Sequence, residues 1–190
     1  YLYILLNSNI YILIDIIILH MIHKCSIIRV MEIFFKEPTS IHFIREISRK
    51  IKLAPTSVRN NLKDLERINL IVKKKANPFD GYFANREDSS FIFYKKAYNL
   101  YTLYELKEFL IEKISPNSIV VFGSYSRGED IESSDIDILI ISKINKKIGL
   151  SNFENKLKRK INVITLDNLN KLDEKIQKKV RNGFTLYGEI

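Results

Sequence analysis

Apolar residues recur at helical spacing in three successive stretches of the first half of the chain. The spacing predicts a first helix over residues 26–35 and a second over residues 40–51. A third helix is expected to begin at Pro55, because proline suits the first helical position, and to end at Asn69. This third helix directs four apolar residues inward: Val58, Leu62, Leu65 and Ile68.

Two short strands are expected after these helices. Residues 70–75 favour one strand, and the turn-forming residues Pro78 and Gly81 lead towards a second strand at residues 91–94. Three short helices followed by a two-stranded ribbon is the plan of a winged helix-turn-helix domain. The sequence therefore predicts such a domain over residues 21–96.

This plan makes double-stranded DNA a candidate partner of the first half. The third helix would enter a major groove, and lysines near the wing would contact phosphates. A docking or oligomerisation module with a solvated charged face has a similar pattern, and such regulators are often homodimers, so these alternatives stay open. The candidate DNA-binding residues are Ser57, Arg59, Asn60, Lys63, Lys73, Lys74 and Lys75.

Charge is distributed unevenly over the 190 residues, whose formal net charge is +9. Residues 1–96 hold 16 Lys and Arg against 9 Asp and Glu, whereas residues 97–190 hold 15 against 13. A basic first half fits a polyanionic partner. A Lys- and Ile-rich composition of the kind that AT-rich genomes produce would also supply many of these charges without any ligand.

The first twenty residues are mostly apolar but fit no targeting segment. No Lys or Arg precedes the apolar run, and Asp15 would be costly inside a membrane. We interpret residues 1–20 as an N-terminal extension that precedes Met21, and we expect no membrane partner. The single cysteine, Cys25, excludes an internal disulfide and favours the cytoplasm.

The second half places two carboxylates at the start of an apolar strand. A connecting helix over residues 97–116 leads into a buried strand at 118–122, and a second apolar strand covers 136–141. Asp135 and Asp137 lie two positions apart, so they share one face of that strand. Two aspartates placed in this way can hold Mg²⁺ and leave positions for triphosphate oxygens.

The turn between these strands has the residues expected of a phosphate-binding loop. Gly123 lets the backbone approach a phosphate, and the following short helix ends at Gly128. The metal-binding and catalytic candidates are therefore Asp135 and Asp137. The candidate nucleotide contacts are Gly123, Ser124, Arg127 and Ser134.

These motifs stand as GSYSRG at 123–128 and SDIDIL at 134–139, and they resemble the signature of minimal nucleotidyltransferases of the polymerase-β-like superfamily. The stretch YFANREDSSFIFYKK also resembles archaeal winged-helix proteins fused to such a domain. The resemblance implies an α+β protein in which the winged helix-turn-helix domain precedes a small mixed-sheet nucleotidyltransferase domain at residues 117–190. It also implies ATP and Mg²⁺ as ligands.

One position departs from the family pattern. Active members generally carry a third carboxylate on the next strand, and the matching position in INVITL is Asn162. An amide offers an oxygen to a metal but supplies neither charge nor a base. Other carboxylates are candidates for the missing third one. Asp167 follows the far end of the strand INVITL, and three others lie closer in sequence to the aspartate pair, on a loop: Glu129, Asp130 and Glu132.

Two functions stay open on this evidence. The first is an enzyme that transfers AMP from ATP to a protein or small-molecule acceptor, in a family whose members often act as antitoxins beside a separately encoded toxin. The second is a DNA-binding regulator whose nucleotidyltransferase fold senses nucleotide or docks a partner. The four motif residues Gly123, Ser124, Asp135 and Asp137 favour the enzyme, and Asn162 favours the regulator.

Overall fold

The computed structural model describes residues 25–75, 78–144 and 148–189, so the interpretation of residues 1–20 concerns a segment outside the described part. The chain divides into two compact units, the first ending at Asn85 and the second beginning at Arg86. The division thus falls before the boundary expected at residue 96.

In the described part of the first unit, three helices precede a two-stranded antiparallel sheet in which Ile71 lies opposite Ala84. Val30 and Phe34 of the first helix are buried together with Ile47 of the second. The elements are α1 (Ser26–Lys36), α2 (Ile44–Ile51), α3 (Pro55–Arg67), β1 (Ile71–Lys74) and β2 (Gly81–Ala84).

Two details of this unit differ from the sequence prediction. Helix α2 begins at Ile44 rather than residue 40, because the backbone of His42 exchanges two 2.9 Å hydrogen bonds with Tyr82 of β2. Val58, Leu62 and Leu65 are buried as predicted. Ile68 is not buried, because α3 ends at Arg67. Half of the surface of Ile68 is exposed.

The predicted strand at residues 91–94 is wrong. Those residues lie in helix α4 (Ser89–Thr102), and the second strand of the hairpin is β2. Asp88 begins the helix, because its carboxylate accepts a 2.8 Å hydrogen bond from the Ser90 amide. The sequence signal was present: Phe91, Lys95 and Asn99, four residues apart, are the buried side of this helix.

The described part of the second unit holds a four-stranded sheet of order β5-β4-β3-β6. Strands β4 and β5 are parallel, and the other two pairings are antiparallel. The predicted strands at 118–122 and 136–141 are confirmed. The elements after α4 are α5 (Tyr104–Ile114), β3 (Ser118–Phe122), α6 (Gly123–Arg127), β4 (Ile136–Ile141), α7 (Ser151–Leu157), β5 (Ile161–Leu166), a 3₁₀ turn (Leu169–Lys171), α8 (Glu174–Arg181) and β6 (Phe184–Gly188).

Helices cover both faces of this sheet. On one face, Leu106 and Leu110 of α5 pack against Ile119 and Ile138, and on the other Val180 of α8 packs against Val120. The single connecting helix expected at 97–116 is instead two helices, α4 and α5, which meet at the buried Leu103. In the described ranges, no helix is both long and apolar enough to span a bilayer.

Candidate active site

Gly123 lies directly against the carboxylate of Asp137. Strands β3 and β4 pair so that Phe122 is opposite Asp137. Helix α6 begins at Gly123, the residue after Phe122. The φ angle of Gly123 is +79°, a conformation that side chains disfavour. A Cβ added there would lie 2.7 Å from Asp137 Oδ2. Both backbone conformation and space therefore require glycine at this position.

Three polar side chains converge at this edge of the sheet. Asp135 precedes β4 and Asp137 lies in it, on the face that Phe122 and Leu139 also use. On parallel strand β5, Asn162 is the register partner of Asp137. The Nδ2 atom of Asn162 donates to Asp137 Oδ1 at 3.1 Å and to Asp135 Oδ2 at 3.2 Å. One amide group thus bridges both carboxylates.

The structure places Asn162 where the sequence analysis expected it. The amide nitrogen faces the carboxylates, so its partial positive charge offsets their mutual repulsion. A rotation of the amide by half a turn would present its oxygen in the same place. The donor set is then two carboxylates and one neutral oxygen, all hard ligands that fit Mg²⁺.

Three other acidic residues near the motif do not complete this set. Asp130 is fully buried in a separate cluster. Glu129 is exposed and forms a 2.8 Å ion pair with Arg127. Asp167 accepts a hydrogen bond from Lys171, which lowers the pKa of Asp167. Asp167 also follows Asn162 by five strand positions, a distance of about 17 Å along β5.

The buried carboxylate of Asp130 organises a second cluster, which the sequence analysis missed. Its Oδ2 contacts Lys95 Nζ at 3.0 Å and Arg159 Nη2 at 2.8 Å, and its Oδ1 accepts from Asn99 Nδ2 at 2.7 Å. Burial lowers the pKa of Lys95, although the charge and hydrogen bond of Asp130 act in the opposite direction. We call these four residues the Asp130 cluster.

The Asp130 cluster is connected to both sequence motifs, GSYSRG at 123–128 and SDIDIL at 134–139. Asn99 also donates to the Tyr125 carbonyl oxygen of α6 at 2.8 Å. Arg159 donates to the Ser134 carbonyl oxygen at 3.0 Å and contacts that of Ile131. The cluster therefore fixes the loop between α6 and Asp135.

The residues predicted to contact the nucleotide are close to the aspartates in sequence, but each has a different environment in the structure. The Ser134 hydroxyl oxygen accepts a 2.9 Å hydrogen bond from the Ile131 amide and so closes the loop. Arg127 is exposed beside Glu129, and Ser124 is half-buried after Gly123. Gly128 ends α6 with φ +71°, and a Cβ there would meet the Ile92 carbonyl oxygen at 2.7 Å.

In the first unit, most candidate DNA-binding residues are exposed. Arg59, Asn60 and Lys63 lie on the outer side of α3, and Ser57 is half-buried. Lys73 forms a 2.7 Å ion pair with Asp80, and the hydrogen bond with Asp80 raises the pKa of Lys73. Two further candidates are solvent-exposed at the end of β1: Lys74 and Lys75.

Comparison with known proteins identifies the class of the second unit. Residues 103–184 match the family model of the nucleotidyltransferase domain. A protein of Methanocaldococcus jannaschii named "Putative protein adenylyltransferase MJ0126" is 42% identical over an alignment of 81 residues, and the match covers 36% of this chain and 82% of the relative. The chain therefore belongs to the nucleotidyltransferase family.

Two further proteins of the same organism carry the same name with the designations MJ0128 and MJ1379. They are 56% and 53% identical to this chain over 34 residues. These matches span 18% of the chain and 35% and 34% of the two relatives, about a third of their length.

Proposed function

We propose that this protein is a Mg²⁺-dependent nucleotidyltransferase that transfers AMP from ATP to an acceptor hydroxyl, most simply on a protein. The close approach of Gly123 to Asp137 is the main support for the proposal. It places the turn directly beside the carboxylate pair and leaves no space for a side chain at position 123. The names of the relatives support a protein acceptor. A separately encoded toxin is the protein acceptor that the family resemblance of the two motifs implies.

The proposed reaction forms one bond and breaks one. The acceptor oxygen bonds to the α-phosphorus while the bond from that phosphorus to the pyrophosphate oxygen breaks. Mg²⁺, when bound, neutralises charge on the triphosphate oxygens. Asp135 and Asp137 would hold the ion, with the Asn162 oxygen as a third ligand, and the backbone at Gly123 and Ser124 would face the phosphates.

Asn162 limits this chemistry. Neither atom of its amide accepts a proton at neutral pH, so the proton of the acceptor hydroxyl leaves to solvent. The site is therefore expected to work more slowly than one with a third carboxylate. This makes a substitution at Asn162 the sharpest probe of the mechanism.

Labelled ATP tests the proposal directly. The full chain is incubated with ATP labelled at the α-phosphate, Mg²⁺ and host lysate, and compared with Asp137→Asn. Label in a protein band is expected to fall by about two orders of magnitude in the variant. Asp167→Asn is the matched control, because it makes the same change on a carboxylate outside the site. Equal labelling by Asp137→Asn and the unmodified chain would refute the enzyme.

The second candidate function is a DNA-binding regulator with a weak nucleotidyltransferase site. Two observations favour it: Asn162 replaces the carboxylate, and the exposed face of α3 presents Arg59 and Lys63 in a unit with three helices and a hairpin in its described part. We propose that this unit is a winged helix-turn-helix domain that binds duplex DNA.

Salt dependence tests the DNA-binding proposal. The affinity of the full chain for duplex DNA should fall steeply as salt rises, because each phosphate contact releases counterions. The variant Arg59→Ala/Lys63→Ala/Lys74→Ala/Lys75→Ala should bind more weakly and with a smaller salt slope. Lys113→Ala and Lys156→Ala, both in the second unit, serve as controls for lost positive charge. A quadruple variant with unchanged affinity and slope would overturn the placement of this interface.

A further inference from the structure

Glu37, His42 and Glu46 of the first unit point their ligand atoms at one another, and we propose that they form a binding site for a transition-metal ion of the Zn²⁺ class. One ligand atom from each of the three side chains lies within 4.8 Å of the others. Glu37 follows the end of α1, His42 pairs with β2, and Glu46 lies in the first turn of α2. The site thus joins three separate elements.

The ring of His42 is buried and oriented for metal binding. Only 1% of the residue is exposed, and Phe34 packs edge-on against the ring at 5.0 Å. Its Nε2 atom lies 3.2 Å from the Glu37 carbonyl oxygen. A carbonyl oxygen only accepts, so Nε2 carries the hydrogen and Nδ1 presents a lone pair when the ring is neutral. Metal-bound histidines are oriented by the same type of bond.

The Nδ1 atom is the unusual group in this site. Among the residues that the structure describes, it has no hydrogen-bond partner although it is buried. Its carboxylate neighbours are Glu46 Oε1 at 3.6 Å and Glu37 Oε2 at 3.9 Å. Both distances exceed the usual hydrogen-bond range of about 2.7–3.2 Å. A buried lone pair that faces two carboxylates is unfavourable unless a proton or a metal ion lies between them.

The distances are close to those that a bound metal would impose. Two ligands about 2.1 Å from a tetrahedral Zn²⁺ lie about 3.4 Å apart. The second oxygen of each carboxylate has a different neighbour: Glu37 Oε1 contacts Lys50 Nζ, and Glu46 Oε2 lies 3.4 Å from the Phe43 amide nitrogen. Both glutamates remain partly exposed, so an ion can enter from solvent.

The donor set selects the class of ion. One imidazole nitrogen with two carboxylates suits Zn²⁺, with water as the fourth ligand, whereas Mg²⁺ and Ca²⁺ prefer oxygen ligands alone. The proposal is independent of the nucleotidyltransferase site, because all three ligands belong to the first unit. A bound ion would connect the end of α1 to the start of α2 and stabilise this unit.

The test uses the full chain with competing ligands removed. His20→Ala, His23→Ala and Cys25→Ser leave His42 as the only histidine and leave no thiol. The background also carries Asp137→Asn, which removes a ligand of the proposed Mg²⁺ site in the second unit. In it we expect one Co²⁺ per chain with a visible tetrahedral absorption band, displaced by Zn²⁺, and a Zn²⁺-dependent shift of the His42 Nδ1 resonance.

Three further variants decide the outcome. Glu46→Gln and Glu37→Gln should weaken Zn²⁺ binding about tenfold to a hundredfold, and both keep the buried ring in place, so the test does not depend on a His42 variant that fails to fold. Asp64→Asn on α3 is the control with the same loss of charge and should bind normally. Failure of Zn²⁺ and Co²⁺ to bind, or unchanged affinity in both glutamate variants, would overturn the proposal.

Discussion

The second unit contains two carboxylate clusters that are close in sequence and opposite in character. Asp130 is fully buried, and its two oxygens are occupied by Lys95, Asn99 and Arg159. Asp135 and Asp137 are exposed and half-buried, and an exposed amide bridges them. The Asp130 cluster is neutralised by cations of the chain, whereas the aspartate pair brings two negative charges together with the dipole of the Asn162 amide between them.

This difference separates stability from chemistry. A buried charge persists only with close partners, so removing one member of the Asp130 cluster would leave an unpaired buried charge and destabilise the fold. Like charges that the fold holds together without a cation raise its free energy, and such arrangements are typical of sites that bind a ligand. The two clusters are connected, because Arg159 and Asn99 also hold the backbone of the intervening loop.

The largest expected effect is on stability, from Asp130→Asn. The substitution leaves Lys95 and Arg159 buried without their carboxylate, and it should lower the free energy of unfolding by about 3–5 kcal/mol. Asp137→Asn makes the same chemical change and should be neutral or slightly stabilising, because it removes repulsion from Asp135. Urea denaturation with hydrogen exchange resolved to the second unit measures both. Equal losses in the two variants would contradict the comparison.

Gly123→Ala should affect both stability and activity. A left-handed residue costs about 1–2 kcal/mol as alanine, and the new Cβ must displace the Asp137 carboxylate. Transfer activity should therefore be lost while the second unit stays folded. Gly149→Ala is the control, since no described atom lies within 4 Å of a Cβ there. Retained activity in Gly123→Ala would show that the close approach is not needed.

The sequence predicted the centre of this site better than its surroundings. Local rules sufficed for Gly123, Asp135 and Asp137, because a turn and a period of two place them together. The position of Asn162 on the next strand followed from a family resemblance, whereas its parallel pairing with Asp137 came from the structure. The Asp130 cluster was missed, because its members come from three distant segments and the residues just before Lys95 were assigned to a strand. A correct assignment of α4 would have revealed Lys95 and Asn99 on one buried side.

Asn162→Asp should sharpen the contrast between the clusters by adding a third negative charge to the open one. We expect Mg²⁺-dependent transfer to rise about tenfold, or 1.4 kcal/mol in the barrier, since the new carboxylate supplies a ligand charge and a base. Without Mg²⁺ the variant should be less stable, and Mg²⁺ should restore that stability. Asn162→Ala separates loss of the amide from gain of the carboxylate. A variant with no gain in rate would favour the regulator.

Tyr125→Phe tests whether solvent is excluded from the side chains next to the Asp130 cluster. The Tyr125 hydroxyl lies 2.8 Å from Thr102 Oγ1, and Arg159 stacks over its ring at 5.6 Å. Burial raises the pKa of Tyr125 well above its usual 10.0. As the pH rises past 10, the unfolded chain therefore loses this proton before the folded chain, and stability falls.

The phenylalanine variant lacks this proton. Comparing it with the unmodified chain therefore isolates the contribution of the Tyr125 proton to the pH dependence of stability. At pH 8 the unmodified chain should be more stable by about 1 kcal/mol, the value of the lost hydrogen bond. Above pH 10 this advantage should shrink by up to about 1.4 kcal/mol per pH unit, because the Phe variant has no such proton to lose, while Lys95 titrates alike in both chains. Urea midpoints at several pH values measure the difference. Tyr94→Phe, which makes the same change at a half-exposed tyrosine, is the matched control. A constant difference for Tyr125→Phe would mean that solvent reaches the hydroxyl, and the Asp130 cluster would then be as open as the aspartate pair.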